Sequence, residues 1–332
     1  MIARRFKNAT GDRRAGTLDT NRTCDLPLRR GLLYPLSYEG VGRDSTRLRT
    51  RFIPFAAALF LSATSWAQSW AYDDGTVPFV VTPEEVVDRM LRIADVGPRD
   101  YVIDLGSGDG RIVIEAAKRG ARGLGVDLDP ELVKRSAGNA RLAGVADRVR
   151  FEVRDLFETD LGAASVITLY LLPEVNLKLM PRLLRLKPGT RIVSHDWNMG
   201  PWPPDETIEL RTPDKTVGRD GLSRVHLWIV PADARGTWVA EVPGHGGRWQ
   251  FTISQHFQAI DVDARADGRE LVVRGARLRG DEIRLVVTGL VGARAWNHRF
   301  RGKLAGARIE GELSVSDGEN NRNFPWTATL SQ

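Results

Sequence analysis

Asp104, Gly106, Gly108 and Gly110 form the frame Asp104-x-Gly106-x-Gly108-x-Gly110, with Ser107 and Asp109 between the glycines. Alternate glycines let a backbone approach a bound molecule more closely than a chain carrying side chains can. A second carboxylate, Asp127, lies 23 residues after Asp104. Nucleotide-binding βαβ units place an acid at about that spacing to accept hydrogen bonds from ribose hydroxyls. The chemistry of this set is the holding of a nucleoside-type ligand. A dinucleotide loop needs G-x-G-x-x-G to seat a pyrophosphate on a helix N-terminus. Here the third position of that pattern is Arg111, and Asp109 would repel a pyrophosphate.

The elements needed to position these residues are legible around them. Tyr101, Val102, Ile103 and Leu105 form a short apolar run, the pattern of a buried parallel strand. Ile112, Val113, Ala116 and Ala117 then recur at helical spacing. Residues Arg122–Val126 read as a second strand ending at Asp127. Asp129, Pro130 and Glu131 open a helix as N-cap, first helical residue and first-turn acid. Val149–Val153 is a third strand, followed by Arg154, Asp155 and Leu156. Val166–Leu171 is a fourth, Val175–Leu186 a helix, Pro188-Gly189 a turn and Arg191–Ser194 a fifth strand. An antiparallel pair near Ile208–Leu210 and Val225–Val230 completes seven strands. The fold class expected is α/β: a Rossmann-like seven-stranded sheet, followed by a small all-β domain.

The D/E-x-G-x-G-x-G frame resembles the signature of class I S-adenosylmethionine-dependent methyltransferases. The resemblance implies the strand order 3-2-1-4-5-7-6 and S-adenosylmethionine as cofactor. It carries cofactor-binding roles to Asp104, Gly106, Ser107, Gly108, Gly110, Asp127, Leu128, Asp155 and Leu156. Asp155 would accept from the adenine amino group, and the Leu156 amide would face the ring.

Many methyltransferases acting on base or glutamine amines carry Asn/Asp-Pro-Pro-aromatic after the fourth strand. This chain has Tyr170-Leu171-Leu172-Pro173 there, which argues against base-amine methylation. Val77-Pro78 precedes an amphipathic helix with Val86, Val87, Met90 and Leu91 on one side. Together with Asp104–Val113, Arg154-Asp155-Leu156, the Leu-x-Pro strand exit, the fifth-strand sequence Pro188–Ser194 and Trp202 to Pro204, it resembles one branch. That branch is the small protein-lysine methyltransferases of the adenine nucleotide carrier and ATP synthase c subunit type, with their bacterial relatives. The resemblance covers roughly residues 77–231. It implies methyl transfer to a protein lysine amine. Two alternatives stay open: a small-molecule or lipid acceptor, and a non-catalytic binding protein of the same fold.

Methyl transfer by displacement needs nucleophile and sulfonium methyl held in near-attack geometry. It also needs the amine deprotonated, which burial favours. Ligands bind at the carboxyl edge of open α/β sheets. Tyr170 and Pro173 after the fourth strand, with His195 and Asp196 after the fifth, are therefore the candidate acceptor-side residues. Plain strand ends and an ordinary surface His-Asp pair are the bland alternatives.

The chain has 332 residues with 48 Lys+Arg against 42 Asp+Glu, a formal charge of +6. Twelve of the basic and five of the acidic residues fall in residues 1–51, leaving 36 against 37 beyond. The basic character thus belongs to the N-terminal stretch and offers no argument for a nucleic-acid partner. Residues 1–46 read as a disordered leader or as translated upstream sequence. Residues 47–67 combine Arg47, Arg49 and Arg51 with the apolar run Phe52–Leu61 and small residues Ser65 and Ala67. That is the make-up of a secretory signal peptide. An uncleaved anchor is the rival, because no charge falls between Phe52 and Tyr72. The chain would then be exported to the periplasm or held near a membrane, or be cytoplasmic if the segment is not used. Cys24 is the only cysteine, and five histidines show no HExxH spacing, so no metal site is expected.

From residue 235 to 332 the pattern turns to short alternating runs: Thr237–Val242, Arg248–Ser254, Glu270–Arg274, Glu282–Val287, His298–Leu304, Arg308–Val315 and Trp326–Leu330. Turns at Asp267-Gly268 and Asp317-Gly318 separate some of them. This is the grammar of a small antiparallel barrel or sandwich. The repeat L-x-G-x-x-I at Leu278–Ile283 and Leu304–Ile309 reads as hairpin grammar. Trp238, Trp249, Trp296 and Trp326 are expected to pack in its core.

Overall fold

The computed structural model describes residues 79–215, 221–242, 247–291 and 294–331. Residues 1–46, the apolar segment 47–67 and Val77-Pro78 lie outside the described residues. Among the described residues no helix is long and apolar enough to cross a membrane, and no group of side chains is arranged to hold a metal ion.

The first part is a sheet of strands β1 (Tyr101–Leu105), β2 (Arg122–Asp127), β3 (Val149–Val153), β4 (Val166–Leu169), β5 (Arg191–His195), β6 (Glu206–Arg211) and β7 (Leu222–Ile229). Their order is β3-β2-β1-β4-β5-β7-β6, as the resemblance implies. The first five run parallel, and β7 is antiparallel to both β5 and β6. Helices α1 (Glu84–Ile93), α2 (Arg111–Lys118), α3 (Pro130–Leu142) and α4 (Pro173–Leu183) cover it. Val86, Val87, Met90 and Leu91 of α1 are all buried. Asp129 caps α3 by accepting from the Glu131 N–H at 2.8 Å, and Pro130 follows in its first turn.

Several boundaries differ from the pattern in the sequence, among them the end of β5, which runs on to His195. Strand β4 stops at Leu169, so Tyr170 and Leu171 lie beyond the ladder. Helix α4 starts at Pro173 and stops at Leu183, rather than running from Val175 to Leu186. Proline suits a first helical position because its missing N–H needs no partner there. Pro181 lies within the same helix and removes the bond to the Leu177 carbonyl; past Leu183 the chain tightens, with the Arg185 N–H on Arg182 O at 3.2 Å and the Leu186 N–H on Leu183 O at 3.1 Å.

The second part is a closed antiparallel barrel of eight strands: β8 (Gly236–Glu241), β9 (Arg248–His256), β10 (Ala259–Ala266), β11 (Arg269–Arg279), β12 (Glu282–Val291), β13 (Arg294–Ala305), β14 (Arg308–Ser316) and β15 (Asn321–Leu330). The seven runs read from the sequence omit β10. Its Ile260, Val262 and Ala264 alternate with Asp261, Asp263 and Arg265, so the signal was present. No Gly or Pro separates it from β9, because the turn uses Phe257 at φ 53°. The L-x-G-x-x-I repeats are two-residue hairpins. Leu278 pairs with Ile283 and Leu304 with Ile309 across them, and Gly280 and Gly306 take the positive φ. Trp238, Trp249 and Trp326 are buried, while Trp296 is half-buried against the same core.

The barrel meets the sheet at one edge. The Ala232 N–H donates to Gly280 O at 2.8 Å, and Trp202 Nε1 donates to Gln258 Oε1 at 3.0 Å. The Trp202 ring stacks on Phe257 at 6.2 Å. Gly280 sits so close to Gly189, in the turn before β5, that a Cβ on it would come 3.0 Å from the Gly189 Cα. This edge holds the start of β5. The glycine loop follows the carboxyl end of β1, on the opposite edge.

Candidate active site

The loop from β1 to α2 is shaped by three left-handed glycines: Gly106 at φ 76°, Gly108 at 54° and Gly110 at 81°. Side chains are strained there. Space is short as well. A Cβ on Gly108 would lie 2.2 Å from the Phe79 ring, and one on Gly106 would lie 2.9 Å from Leu171. The Gly106 and Ser107 N–H groups both donate to Val126 O at 2.9 Å, which ties the loop to β2. Asp127, at the end of β2, accepts from the Gly108 N–H at 2.8 Å and the Asp129 N–H at 3.1 Å. Its carboxylate therefore stands at the mouth of the glycine loop.

Asp155 accepts from the Phe157 N–H at 2.7 Å, and its carbonyl accepts from the Thr159 hydroxyl at 2.9 Å. This folds the exit of β3 into a tight turn. Leu156 packs inward against the sheet core, whereas Leu128 and Phe157 are exposed apolar side chains at the same edge. Asp109 pairs with Arg111 at 2.6 Å. Arg111 also donates to Thr82 O at 2.8 Å, fixing the segment that brings in Phe79.

Asp104 is 2% exposed. It accepts from the Thr168 hydroxyl at 2.6 Å, behind the glycine loop. Burial, reinforced by the nearby Asp127 and Asp109 charges and opposed by the Thr168 hydrogen bond, pushes its pKa from 3.8 to about 7. The native state therefore holds a proton there between about pH 4 and pH 7 that the unfolded chain has released. Its contribution to stability is full at low pH, falls across that window and is gone once pH has risen through about 7. A rise of that size corresponds to roughly 4 kcal/mol. Asp104→Asn keeps the shape and the Thr168 partner, so ligand-free protein should melt several degrees higher at pH 8 and almost unchanged at pH 4. Parallel melting shifts at both pH values would contradict this.

The acceptor-side candidates come together on the same carboxyl edge. The Tyr170 ring lies 4.0 Å from that of His195, tilted by 31°. Burial and the Asp196 charge push the Tyr170 hydroxyl above its ordinary range, so it stays protonated. His195 is fully buried. Its Nε2 is 3.0 Å from the Ser223 hydroxyl and 3.5 Å from Asp196 Oδ2. Burial above all drives its pKa down to about 4; Asp196 pulls it up, while Lys215 and His226 add to the fall. It is a neutral imidazole at pH 7, not half of a surface ion pair. Pro173 starts α4 three residues after Tyr170. Asn176 on that helix donates to Ser194 Oγ, Trp197 O and Asn198 O at 3.2–3.4 Å, tying α4 to the exit of β5.

Thr168, Phe79, Asn176, Lys215 and Ser223 were not singled out by sequence reasoning. Thr168 had a signal, as the one polar residue in the strand Val166–Leu169. The others act through contacts between positions far apart in the chain.

A parallel-centred sheet in this order, with a left-handed glycine loop after β1 and an acid at the end of β2, defines an S-adenosylmethionine-dependent methyltransferase. The loop fits that cofactor: its three glycines put no side chain of their own in the way, its edge carboxylates suit ribose and a cationic sulfonium, and the nearby Arg111 cation is paired with Asp109. The family model for the ANTKMT methyltransferase domain matches residues 104–206. The protein-lysine N-methyltransferase of Saccharolobus islandicus is 44% identical over 137 residues, which span 40% of this chain and 85% of that protein. The mouse lysine N-methyltransferase of the ATP synthase c subunit is 34% identical over 132 residues, spanning 40% of this chain and 53% of that protein. The chain therefore belongs to the protein-lysine N-methyltransferase family. A solved RNA methyltransferase of Salinibacter ruber, in complex with S-adenosylhomocysteine, is 52% identical, with a TM-score of 0.43, and the match covers 46% of this chain and 95% of that one.

Proposed function

We propose that this methyltransferase acts on the ε-amine of a lysine in a protein. The observation that carries the reading is the likeness to a protein-lysine N-methyltransferase over 85% of that relative's length. The cofactor, when bound, supplies a methyl group on a sulfonium centre. Gly106, Ser107, Gly108 and Gly110 form its cradle, with Asp104 buried behind them. Asp127 accepts from the ribose hydroxyls, and Leu128, Asp155 and Leu156 serve the adenine. Tyr170, Pro173, His195 and Asp196 line the acceptor side.

Tyr170 presents a half-buried, uncharged aromatic face, backed by the fully buried His195 ring. Removal from water on that side disfavours an ammonium and so favours the free amine that attacks. His195 is too weak a base to take the proton at pH 7, so it serves as packing behind Tyr170 rather than as general base. The apolar run at residues 52–61 supports an exported or membrane-proximal location, read by fractionating the tagged full-length protein.

The test is incubation with methyl-radiolabelled S-adenosylmethionine and either membrane or cytosolic extract. A labelled protein band yielding methyl-lysine on hydrolysis is expected, and Tyr170→Ala should lower the labelling rate at least tenfold. Label confined to small molecules rejects the lysine reading. No label at all, with cofactor affinity intact, supports a binding protein instead.

A further inference from the structure

The connection from β6 to β7 brings a lysine into the acceptor edge that the sequence pattern did not mark. Lys215 has only 6% of its side chain exposed, and its Nζ lies 2.6 Å from Asp196 Oδ2. It also donates to Leu222 O at 2.6 Å. Asp196 is one of four described non-glycine residues with positive φ, at 63°. Such a backbone is strained and persists only where its surroundings over-determine it. Here they do. The Arg224 N–H donates to Asp196 Oδ1 at 3.0 Å, and the Asp196 N–H donates back to Arg224 O at 2.6 Å.

One carboxylate oxygen, Asp196 Oδ2, thus faces two nitrogens. Lys215 Nζ is at 2.6 Å and His195 Nε2 at 3.5 Å. The lysine takes it. The His195 Nε2 instead meets the Ser223 hydroxyl, which is itself 2.9 Å from the Thr212 hydroxyl. We propose that Lys215 is a positioning residue of the acceptor site: by clamping Asp196 it fixes the turn after β5 and draws that carboxylate off the His195 ring beside Tyr170. This rests on the reading of the β4–β5 edge as the acceptor side.

The clamp has a chemical consequence. An unclaimed Asp196 carboxylate at this edge would hold an incoming ammonium in its charged form, which cannot attack. Lys215 claims that carboxylate first. The charged or titratable groups around His195 are Tyr170 after β4, Asp196 after β5, Lys215 after β6, and Arg224 and His226 on β7, with Glu209 of β6 paired to Arg224. Replacing Lys215 removes a positive charge and frees a negative one, and both changes make His195 easier to protonate.

The experiment is an NMR titration of the full-length protein labelled in its histidine rings, with His195 assigned by His195→Gln. It needs no acceptor, so failure to find a protein substrate leaves its result standing. In the unaltered protein the His195 signal should not move above about pH 5. In Lys215→Met its midpoint should rise by at least one unit, and Lys215→Arg should restore the original curve. Calorimetry on Lys215→Met should give unchanged S-adenosylmethionine affinity, which also reports that the sheet is folded. Superimposable His195 curves in Lys215→Met, or a matching loss of cofactor affinity, would overturn the proposal.

Discussion

Alanine at Asp127 is expected to lower the affinity for S-adenosylmethionine at least a hundredfold in calorimetry. The carboxylate stands at the mouth of the glycine loop and is proposed to accept from both ribose hydroxyls. A hydrogen bond to a charged group is worth about 1.5–3 kcal/mol, so losing two exceeds about 3 kcal/mol, or two decades in dissociation constant. A second loss adds to the first. Asp127 also holds the Gly108 and Asp129 N–H groups at 2.8 and 3.1 Å. Without it the loop must order itself when the ligand arrives. Asp127→Asn separates the two roles, since its carbonyl oxygen can keep one backbone partner but not the bidentate grip on ribose. It should fall between the native protein and Asp127→Ala. Native affinity in Asp127→Ala, with an unchanged melting temperature, would remove the cofactor role from this residue.

The cofactor half was legible because its chemistry is local in sequence. A glycine frame, an acid after the next strand and an acid after the third can each be read within a few residues. The candidate acceptor side was legible only in part. Tyr170, Pro173, His195 and Asp196 stand at strand exits, which periodicity locates. The His195 ring meets Ser223, which in turn meets Thr212, 28 and 17 residues from His195, and the Lys215 clamp reaches Asp196, 19 residues earlier. No short-range pattern encodes such pairings. Asp104 illustrates the same limit. Its place in the frame suggests a ligand contact, yet the Thr168 hydroxyl and the strands on either side bury it behind the loop. In the barrel, alternation marked seven strands. The eighth, β10, was hidden by a turn made without glycine or proline, where Phe257 takes the positive φ.

Phe300→Ala should destabilise the barrel by about 3–5 kcal/mol while leaving cofactor binding intact. The Phe300 ring is buried at 5.3 Å from Trp249, 5.1 Å from Phe251 and 4.9 Å from Trp326. Deleting a buried phenylalanine removes its transfer free energy and leaves a cavity that rigid aromatic neighbours fill poorly. Because a domain's whole stability is about 5–15 kcal/mol, this one change takes a large share of it. Closure of the barrel offers no cheap way to relax, since every strand is hydrogen-bonded on both sides. Yet the barrel joins the sheet at the Gly189 and Trp202 edge, opposite the glycine loop. Urea unfolding followed by near-ultraviolet circular dichroism should show the aromatic signal lost at a much lower midpoint. Calorimetry below that midpoint should give native affinity for S-adenosylmethionine. Leu290→Ala is the control, because that barrel side chain is 75% exposed and its loss should cost under about 0.5 kcal/mol. Should cofactor affinity fall in step with barrel stability, the two parts are coupled across the sheet, and the barrel bears on catalysis from the edge farthest from it.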